Sequence, residues 1–265
     1  MPVIKGQGWT FDTVAGEYEK FRPGYPAELY QTLFDYAAFP GAINAVEVGI
    51  GAGQATLPML KAGCSVTAVE PGTNFCALCR DKFSAYPAFS AIESKFEDVS
   101  LPESSFDLVY SASAFHWVPE DIGYSKVYAL LRSGGIFARF ANHPLCNQDN
   151  PAMGEAIQRA YDQYYYPFYG TEPSVPQPYT AEQAASRADI ALKYGFTDVR
   201  YALFSRKRQF SSEEYVRLIG TYSDHIAIEE NTRRRFFDAV AEAIEAHGGT
   251  LTICDTLDLE LARKL

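Results

Sequence analysis

Positive charge is what this chain lacks most. Its 265 residues carry 23 Lys and Arg against 33 Asp and Glu, a formal net charge of -10, and so acidic a surface opposes the phosphate-driven attraction on which nucleic-acid binding depends. DNA and RNA are not expected partners. Long apolar runs are missing too: no uncharged stretch reaches the roughly 20 residues of a membrane helix, and Met1–Thr10 has no apolar block of the secretory kind. A cytoplasmic address without a membrane partner is the expectation. The 19 Gly and 15 Pro are too few for a collagen-like or low-complexity chain. Five cysteines (Cys64, Cys76, Cys79, Cys146, Cys254) are odd in number and widely spread, which excludes the pattern of a secreted disulfide framework. Cys76 and Cys79 form a C-x-x-C with no second pair and no nearby His to complete a zinc shell, so packing thiols are expected and no metal site is.

What remains is a chain with 47% hydrophobic residues, enough for one sizeable core. From about residue 40 its pattern alternates. Ala45–Gly49 and Ser65–Glu70 read as short apolar strands around a helical Gln54–Lys61. A helix from Thr73, as N-cap, to Tyr86 leads to a weaker strand at 88–94 and a clear one at Phe106–Tyr110. Ile122–Leu131 reads as helix and Ile136–Ala141 as the next strand. Helices spaced between strands in this way imply a doubly wound parallel sheet with right-handed crossovers. The second half departs from the alternation. Residues 142–180 concentrate Tyr and Pro, a candidate lid over one end of the sheet. Ala181–Tyr194 then reads as a helix stopped at Gly195, 198–205 as a strand, 231–246 as a helix with one apolar face, and Leu251–Leu261 as a final strand. Near the N-terminus, Pro26 opens a helix.

Glu47-Val48-Gly49-Ile50-Gly51-Ala52-Gly53 follows the first strand and opens a helix. Glycines there let the backbone turn tightly and approach a ligand. Glu70 stands at the end of the second strand, 21 residues after Gly49, where a carboxylate can accept both hydroxyls of a ribose. The G-x-G-x-G spacing lacks the G-x-G-x-x-G of pyrophosphate-binding turns, so a nucleoside without a pyrophosphate is favoured. Glu97-Asp98, beyond the weak third strand, places an acid within reach of an adenine amino group.

With these motifs in this order, the chain resembles the class I S-adenosylmethionine-dependent methyltransferases, in the small-molecule branch of the trans-aconitate and ubiquinone-biosynthesis enzymes. Glu47-x-Gly49-x-Gly51-x-Gly53 is similar to the family's first motif, and Val69-Glu70-Pro71-Gly72 to its ribose-binding turn. Glu97-Asp98 matches the adenine contact, Phe106–Trp117 (with Ser111, His116 and Trp117) its fourth-strand motif, and Leu130–Gly135 its Leu-x-Pro-Gly-Gly turn with Ser133 replacing proline. Phe11–Pro26, with Tyr18, Arg22 and Tyr25, resembles the segment that caps the cofactor, and Leu261–Lys264 the closing strand.

The resemblance implies an α/β Rossmann-like methyltransferase fold: a doubly wound, mostly parallel seven-stranded sheet with an antiparallel last strand and a helical cap. It implies a single methyltransferase domain over 1–265, with a nucleotide-binding core at about 40–141 completed by 196–205 and 249–265, and a cap and lid at 1–39, 142–195 and 206–248. S-adenosylmethionine is the implied cofactor, and a small-molecule methyl acceptor the implied partner. Tyr18, Arg22, Glu47, Gly49, Gly51, Gly53, Glu70, Pro71, Glu97, Asp98 and Ser111 are candidate cofactor contacts; Tyr25, His116 and Trp117 candidate acceptor contacts; His116 and His143 candidate bases. Each has a plainer alternative: His116 and Trp117 as core or rim residues, His143 as a hydrogen-bonded loop histidine, Arg22 as a salt-bridge anchor of the N-terminal segment. The basic runs Arg206–Arg208 and Arg233–Arg235 read as solvated element ends, or as attraction for an anionic acceptor. A non-catalytic S-adenosylmethionine-binding protein and an NAD-dependent oxidoreductase remain the rival functions.

Overall fold

The computed structural model describes residues 7–39, 41–146 and 149–265, with the side chains of residues 7–10 left out. The sequence readings at Met1–Gly6, including the start of the expected cap, lie outside the described residues. The elements are α1 (Ala15–Phe21), α2 (Ala27–Ala37), β1 (Asn44–Val48), α3 (Thr56–Lys61), β2 (Ser65–Glu70), α4 (Thr73–Lys82), β3 (Phe89–Glu93), β4 (Phe106–Ala112) and α5 (Glu120–Leu130). They continue as β5 (Leu131–Cys146), α6 (Pro151–Ala160), α7 (Tyr166–Tyr169), α8 (Ala181–Ala188), β6 (Thr197–Ser211), α9 (Ser212–Ile219), α10 (Ser223–Ile226), α11 (Glu230–Glu245) and β7 (Thr250–Arg263).

The strands form one seven-stranded sheet in the order β3-β2-β1-β4-β5-β7-β6. Strands β3, β2, β1, β4 and β5 run parallel. β7 enters between β5 and β6 the other way, as the reciprocal bonds Gly134 N–H to Lys264 O (2.8 Å) and Lys264 N–H to Gly135 O (2.9 Å) require. The expected doubly wound sheet with its antiparallel closing strand is therefore present.

The chain divides into two compact units. One comprises Pro23–Asn142, Tyr179–Phe204 and Leu257–Leu265; the other the chain up to Arg22, His143–Pro178 and Ser205–Thr256. In the first, strand residues alternate between two cores because both faces of a parallel sheet are covered. Ala45, Ala68, Leu108, Tyr110, Ala138 and Phe140 pack with Leu29 and Leu33 of α2, Met59 of α3 and Phe83 just past α4. Val46, Val48, Val69, Val109 and Phe137 pack on the opposite face with Tyr124, Val127 and Leu130 of α5. The second unit has its own core, made by Met153 and Ile157 of α6, Tyr215 and Leu218 of α9, Phe236, Val240 and Ile244 of α11, and Leu251 and Ile253 of β7.

Several local expectations are revised. Thr73 is the first residue of α4, with Gly72 as its N-cap, because the Thr73 hydroxyl is drawn off to Glu93 (2.7 Å). α4 ends at Lys82, well before Tyr86. The Tyr/Pro-rich stretch is partly regular: β5 runs on to Cys146, and α6 opens under an Asn150 cap that accepts from Met153 N–H (3.1 Å). Among the described residues five helices, α1, α6, α7, α9 and α10, escaped the periodic reading. α9 is announced by Ser211-x-x-Glu214, whose reciprocal side-chain bonds are both formed. The basic run before it is neutralised, Arg206 and Arg208 by Asp255 and Lys207 by Asp149. Among the described residues no helix is long and apolar enough to cross a membrane.

Phe140 anchors the aromatic floor beneath the carboxyl ends of the strands. It lies 1% exposed, edge-on to Tyr25 (4.7 Å between centroids) and stacked on Tyr110 (6.5 Å). Phe140→Ala is expected to cost about 3–5 kcal/mol through lost burial and the cavity left behind. Denaturant unfolding measures it, and a loss below ~1 kcal/mol would show that this packing carries little of the stability.

Candidate active site

Three glycines with positive φ follow β1: Gly49 (74°), Gly51 (52°) and Gly53 (76°). At two of them packing also forbids a side chain. A Cβ at Gly49 would run into the Ala114 side chain, and one at Gly53 would stand 2.6 Å from the Phe83 ring. The turn is fastened by Gly49 N–H to Val69 O (2.9 Å) and Gly53 N–H to Ile50 O (3.0 Å).

Glu70 closes β2 beside this turn and is 8% exposed. One carboxylate oxygen accepts from Gly51 N–H (3.1 Å) and the other from Gly72 N–H (2.9 Å). Half-buried Pro71 lies between the two sides of this clasp. The C-x-x-C braces it from behind: the Cys76 thiol donates to Glu70 O (3.4 Å) and the Cys79 thiol to Gly51 O (3.3 Å). Burial pushes the Cys79 thiol well above its usual range, so it stays protonated and donating. All five cysteines are free, and no cluster fit for a metal ion occurs among the described residues.

Glu47 lies deeper than a ligand contact would. It is 0% exposed, and one carboxyl oxygen accepts from the hydroxyls of Thr56 (2.7 Å) and Tyr110 (2.8 Å) while the other is buried with no partner. Burial pushes its carboxyl up to about 8, against the lowering effect of the two hydroxyls. It ties β1, β4 and the start of α3 together under the glycine turn. Ser111 is likewise 0% exposed, its hydroxyl donating to Val48 O (2.7 Å).

At the carboxyl end of β4 the chain turns through Ser113, whose φ of 54° is unusual for a residue with a side chain. The Ser113 hydroxyl meets the Tyr25 hydroxyl (2.8 Å) and accepts from Asn142 N–H (3.4 Å). Next comes a short 3₁₀ turn, Phe115–Trp117, anchored by buried Phe115 against Phe137 (4.9 Å) and Tyr124 (5.3 Å). It presents His116 and half-buried Trp117 side by side, their rings 5.0 Å apart. His116 is exposed; the water displaced by protein around it, with the positive charges of Arg187 and Arg139, pushes the imidazole down to about 4. It is neutral at physiological pH.

Those arginines belong to a buried ionic cluster that sequence reading missed. Arg139 on β5 pairs with Glu260 on β7 (2.6 Å), and Arg187 on α8 approaches Glu260 (3.1 Å) and fully buried Asp258 (3.5 Å). Burial pushes Glu260 up to about 7 in spite of both guanidinium groups. Tyr179 donates to Asp258 (3.1 Å). Tyr179, Glu182, Gln183, Ser186 and Arg187 line an open depression of about 380 Å³. No periodic signal marks such a cluster, because its members come from three separate elements.

The other predicted residues fall as follows. Glu97 is half-buried and Asp98 exposed in the turn after β3, where Lys126 donates to Glu97 O (3.0 Å). Tyr18, Arg22 and His143 belong to the second unit. Arg22 donates to Thr221 Oγ1 (2.9 Å) and Thr221 O (3.1 Å), with its guanidinium 4.2 Å over the Tyr222 ring and 5.0 Å over Tyr18. This holds the N-terminal segment to the turn after α9. Half-buried His143 lies in the outer part of β5.

The raised Glu47 carboxyl has a measurable consequence. A group whose folded-state pKa is raised contributes stability that is complete below the ordinary carboxyl range and lost as pH rises through about 8. Glu47→Gln removes that titration and keeps an acceptor for both hydroxyls. The melting temperature of the variant, relative to the unsubstituted protein, should rise between pH 5 and pH 9. A difference that stays constant over this range would show that Glu47 does not titrate there.

Residues 46–138 match a family model described as a methyltransferase domain. This span holds the glycine turn, Glu70, Ser113 and His116. An uncharacterized methyltransferase of Mycobacterium tuberculosis is 32% identical over 126 residues, 48% of this chain and 49% of the relative. The chain thus spans about half the length of that relative. An uncharacterized methyltransferase of Schizosaccharomyces pombe is 24% identical over 229 residues, 85% of this chain and 84% of the relative. Among solved structures, a candidate type II methyltransferase from Anaeromyxobacter dehalogenans superposes with a TM-score of 0.63 at 22% identity, covering 92% of this chain and 98% of its own. A phosphoethanolamine N-methyltransferase of Haemonchus contortus, solved with phosphomonomethylethanolamine and S-adenosylhomocysteine, superposes with a TM-score of 0.54 at 15% identity, covering 96% of this chain and 57% of its own. The strand order, the reversed β7 and these likenesses together give the chain the Rossmann-like methyltransferase fold, with a methyltransferase domain at residues 46–138.

Proposed function

We propose that the protein is an S-adenosylmethionine-dependent methyltransferase acting on a small-molecule acceptor. The observation that carries this reading is the clasp of Glu70 across the glycine turn: a carboxylate at a strand's carboxyl end, beside three consecutive positive-φ glycines. The residues present suit the cofactor. Glu70 stands at the carboxyl end of β2, where a carboxylate can accept the hydroxyls of a ribose, and the bare backbone at Gly51 lets a ligand lie against the turn. The Haemonchus protein of the same fold, solved with S-adenosylhomocysteine, supports the choice of ligand.

When bound, S-adenosylmethionine supplies a methyl group already activated on a sulfonium, so the protein needs little covalent machinery. Glu70 and the glycine turn hold the nucleoside. Trp117 supplies an apolar wall that excludes water. His116 is available as a neutral imidazole, able to take a proton from a hydroxyl or amine acceptor, and loss of water together with the charges of Arg187 and Arg139 keeps it so. A carboxylate acceptor needs no base and only positioning. The depression beside Tyr179 and Arg187 offers room for part of the acceptor.

Isothermal titration with S-adenosylmethionine, S-adenosylhomocysteine and NAD tests the reading. Binding of the first two and not the third is expected; binding of NAD alone would replace the methyltransferase with an oxidoreductase. Glu70→Ala should weaken S-adenosylhomocysteine by about 2–4 kcal/mol, as charge-assisted hydrogen bonds to the ribose are lost. Glu70→Gln should retain part of the affinity. Equal binding by both variants and the unsubstituted protein would refute the ribose assignment.

The state of His116 is open to NMR titration of its ring protons. A midpoint near 4 is expected, and Arg187→Met should raise it because a repelling charge is removed. A midpoint at or above the ordinary histidine value of ~6.5 would remove the neutral imidazole from the site's chemistry.

A further inference from the structure

Ser113 occupies a left-handed backbone conformation, with φ of 54°, that costs energy for a residue with a side chain. Among the described residues four non-glycines have positive φ: Ala38, Ser104, Ser113 and Asp198. Ala38 caps the end of α2, as such residues commonly do. Ser113 stands at the carboxyl end of β4, the edge where open α/β sheets bind ligands. Its backbone is pinned there by Ser113 N–H to Phe140 O (2.8 Å), and the next residue, Ala114, presses against Gly49 where no Cβ would fit. Strain concentrated at a ligand-facing edge marks a functional position.

The strained turn sets the direction of one hydroxyl. Ser113 Oγ stands 2.8 Å from the Tyr25 hydroxyl and accepts weakly from Asn142 N–H at 3.4 Å. Tyr25 is held by its ring edge against buried Phe140. Both residues are half-buried, whereas Glu47 and Ser111 are fully buried.

Strand order places this pair relative to Glu70. β2, β1 and β4 are neighbours, so two strand spacings, roughly 10 Å, separate the carboxyl end of β2 from that of β4. A nucleoside whose ribose lies on Glu70 and whose 5′ side crosses the glycine turn of β1 brings its sulfur toward β4: the ribose ring and one methylene span roughly half the gap, and the hydrogen bond to Glu70 at one end with the contact to the sulfonium at the other covers the rest.

We propose that Ser113 and Tyr25 are positioning residues that direct hydroxyl oxygens at the sulfonium and its methyl group, and so make the site prefer the charged methyl donor to its neutral demethylated product. The proposal rests on the methyltransferase reading above. The chemistry is electrostatic: oxygen lone pairs attract a sulfonium and its polarised methyl hydrogens, and gain little from a thioether. The strained turn at Ser113 sets its hydroxyl beside that of Tyr25. Discrimination of this kind also favours product release, because the attraction disappears once the methyl group has left.

The test needs no acceptor. Dissociation constants for S-adenosylmethionine and S-adenosylhomocysteine are measured by titration on the unsubstituted protein, Ser113→Ala and Tyr25→Phe, with melting temperatures recorded to confirm folding. Each variant should lose about fivefold or more in affinity for the sulfonium form and less than twofold for the thioether. The double variant should lose little beyond either single one, because the two hydroxyls act through one hydrogen bond. Ser113→Gly should shift the same ratio while raising the melting temperature, since glycine relieves the positive φ. Equal losses for both ligands, or an unmoved ratio, would overturn the proposal while leaving the methyltransferase reading intact. If the unsubstituted protein binds neither ligand, it is the methyltransferase reading that fails.

Discussion

A carboxyl group shut away from water organises the glycine turn at the carboxyl end of β1. Glu47 cannot reach solvent, so its polar oxygens must be answered from within, and Thr56 and Tyr110 answer one of them. The two bonds join β1 to β4 and to the first turn of α3, the elements on either side of the glycine turn. Because both hydroxyls come from packed elements, the turn above them has little freedom to drift. Glu70 then clasps it from outside with bonds to Gly51 and Gly72. Two acids on neighbouring strands thus have different tasks: Glu47 is shut in beneath the turn and braces it, and Glu70 clasps it through the backbone N–H groups of Gly51 and Gly72.

From that arrangement the placement of the remaining groups follows. β4 must approach β1 closely enough for Ala114 to touch Gly49, which commits Ser113 to its strained turn and sends the chain into the 3₁₀ segment carrying His116 and Trp117. Phe115 fastens that segment to the core beneath α5. Arg139 and Arg187, which add to the effect of burial on His116, are themselves held by acids on β7, so the reversed closing strand bears on the charge state of a residue beyond β4. The second unit has a separate basis for its stability, a helical core of α6, α9 and α11, together with the stack of Arg22 on Tyr222 and Tyr18.

Much of the fold was legible along the chain. Apolar β-branched runs ending in Gly49 and Glu70, separated by helix-length segments, carry their own instructions, since strand and turn propensities act over a few residues. The limits of that reading are instructive. β5 and β6 extend well beyond their apolar cores because neighbouring strands continue to pair with them, a gain that no local pattern records. α9 was missed despite its capping box at Ser211 and Glu214, because only eight residues follow before Gly220 and its apolar face is short.

The sequence by itself determined the alternation of strands and helices, the glycine turn and the acid after β2. These depend on backbone conformations that a few adjacent residues settle, such as a positive φ that glycine adopts freely. Tertiary structure alone decided which polar groups meet. Glu47 and Tyr110 lie 63 residues apart in the chain, Tyr25 and Ser113 lie 88 apart, and Arg22 and Thr221 lie 199 apart. Whether an acid is a ligand contact or a buried strut, and whether a histidine is charged, depends on water exclusion and on charges from other elements. Those quantities exist only once the chain has packed.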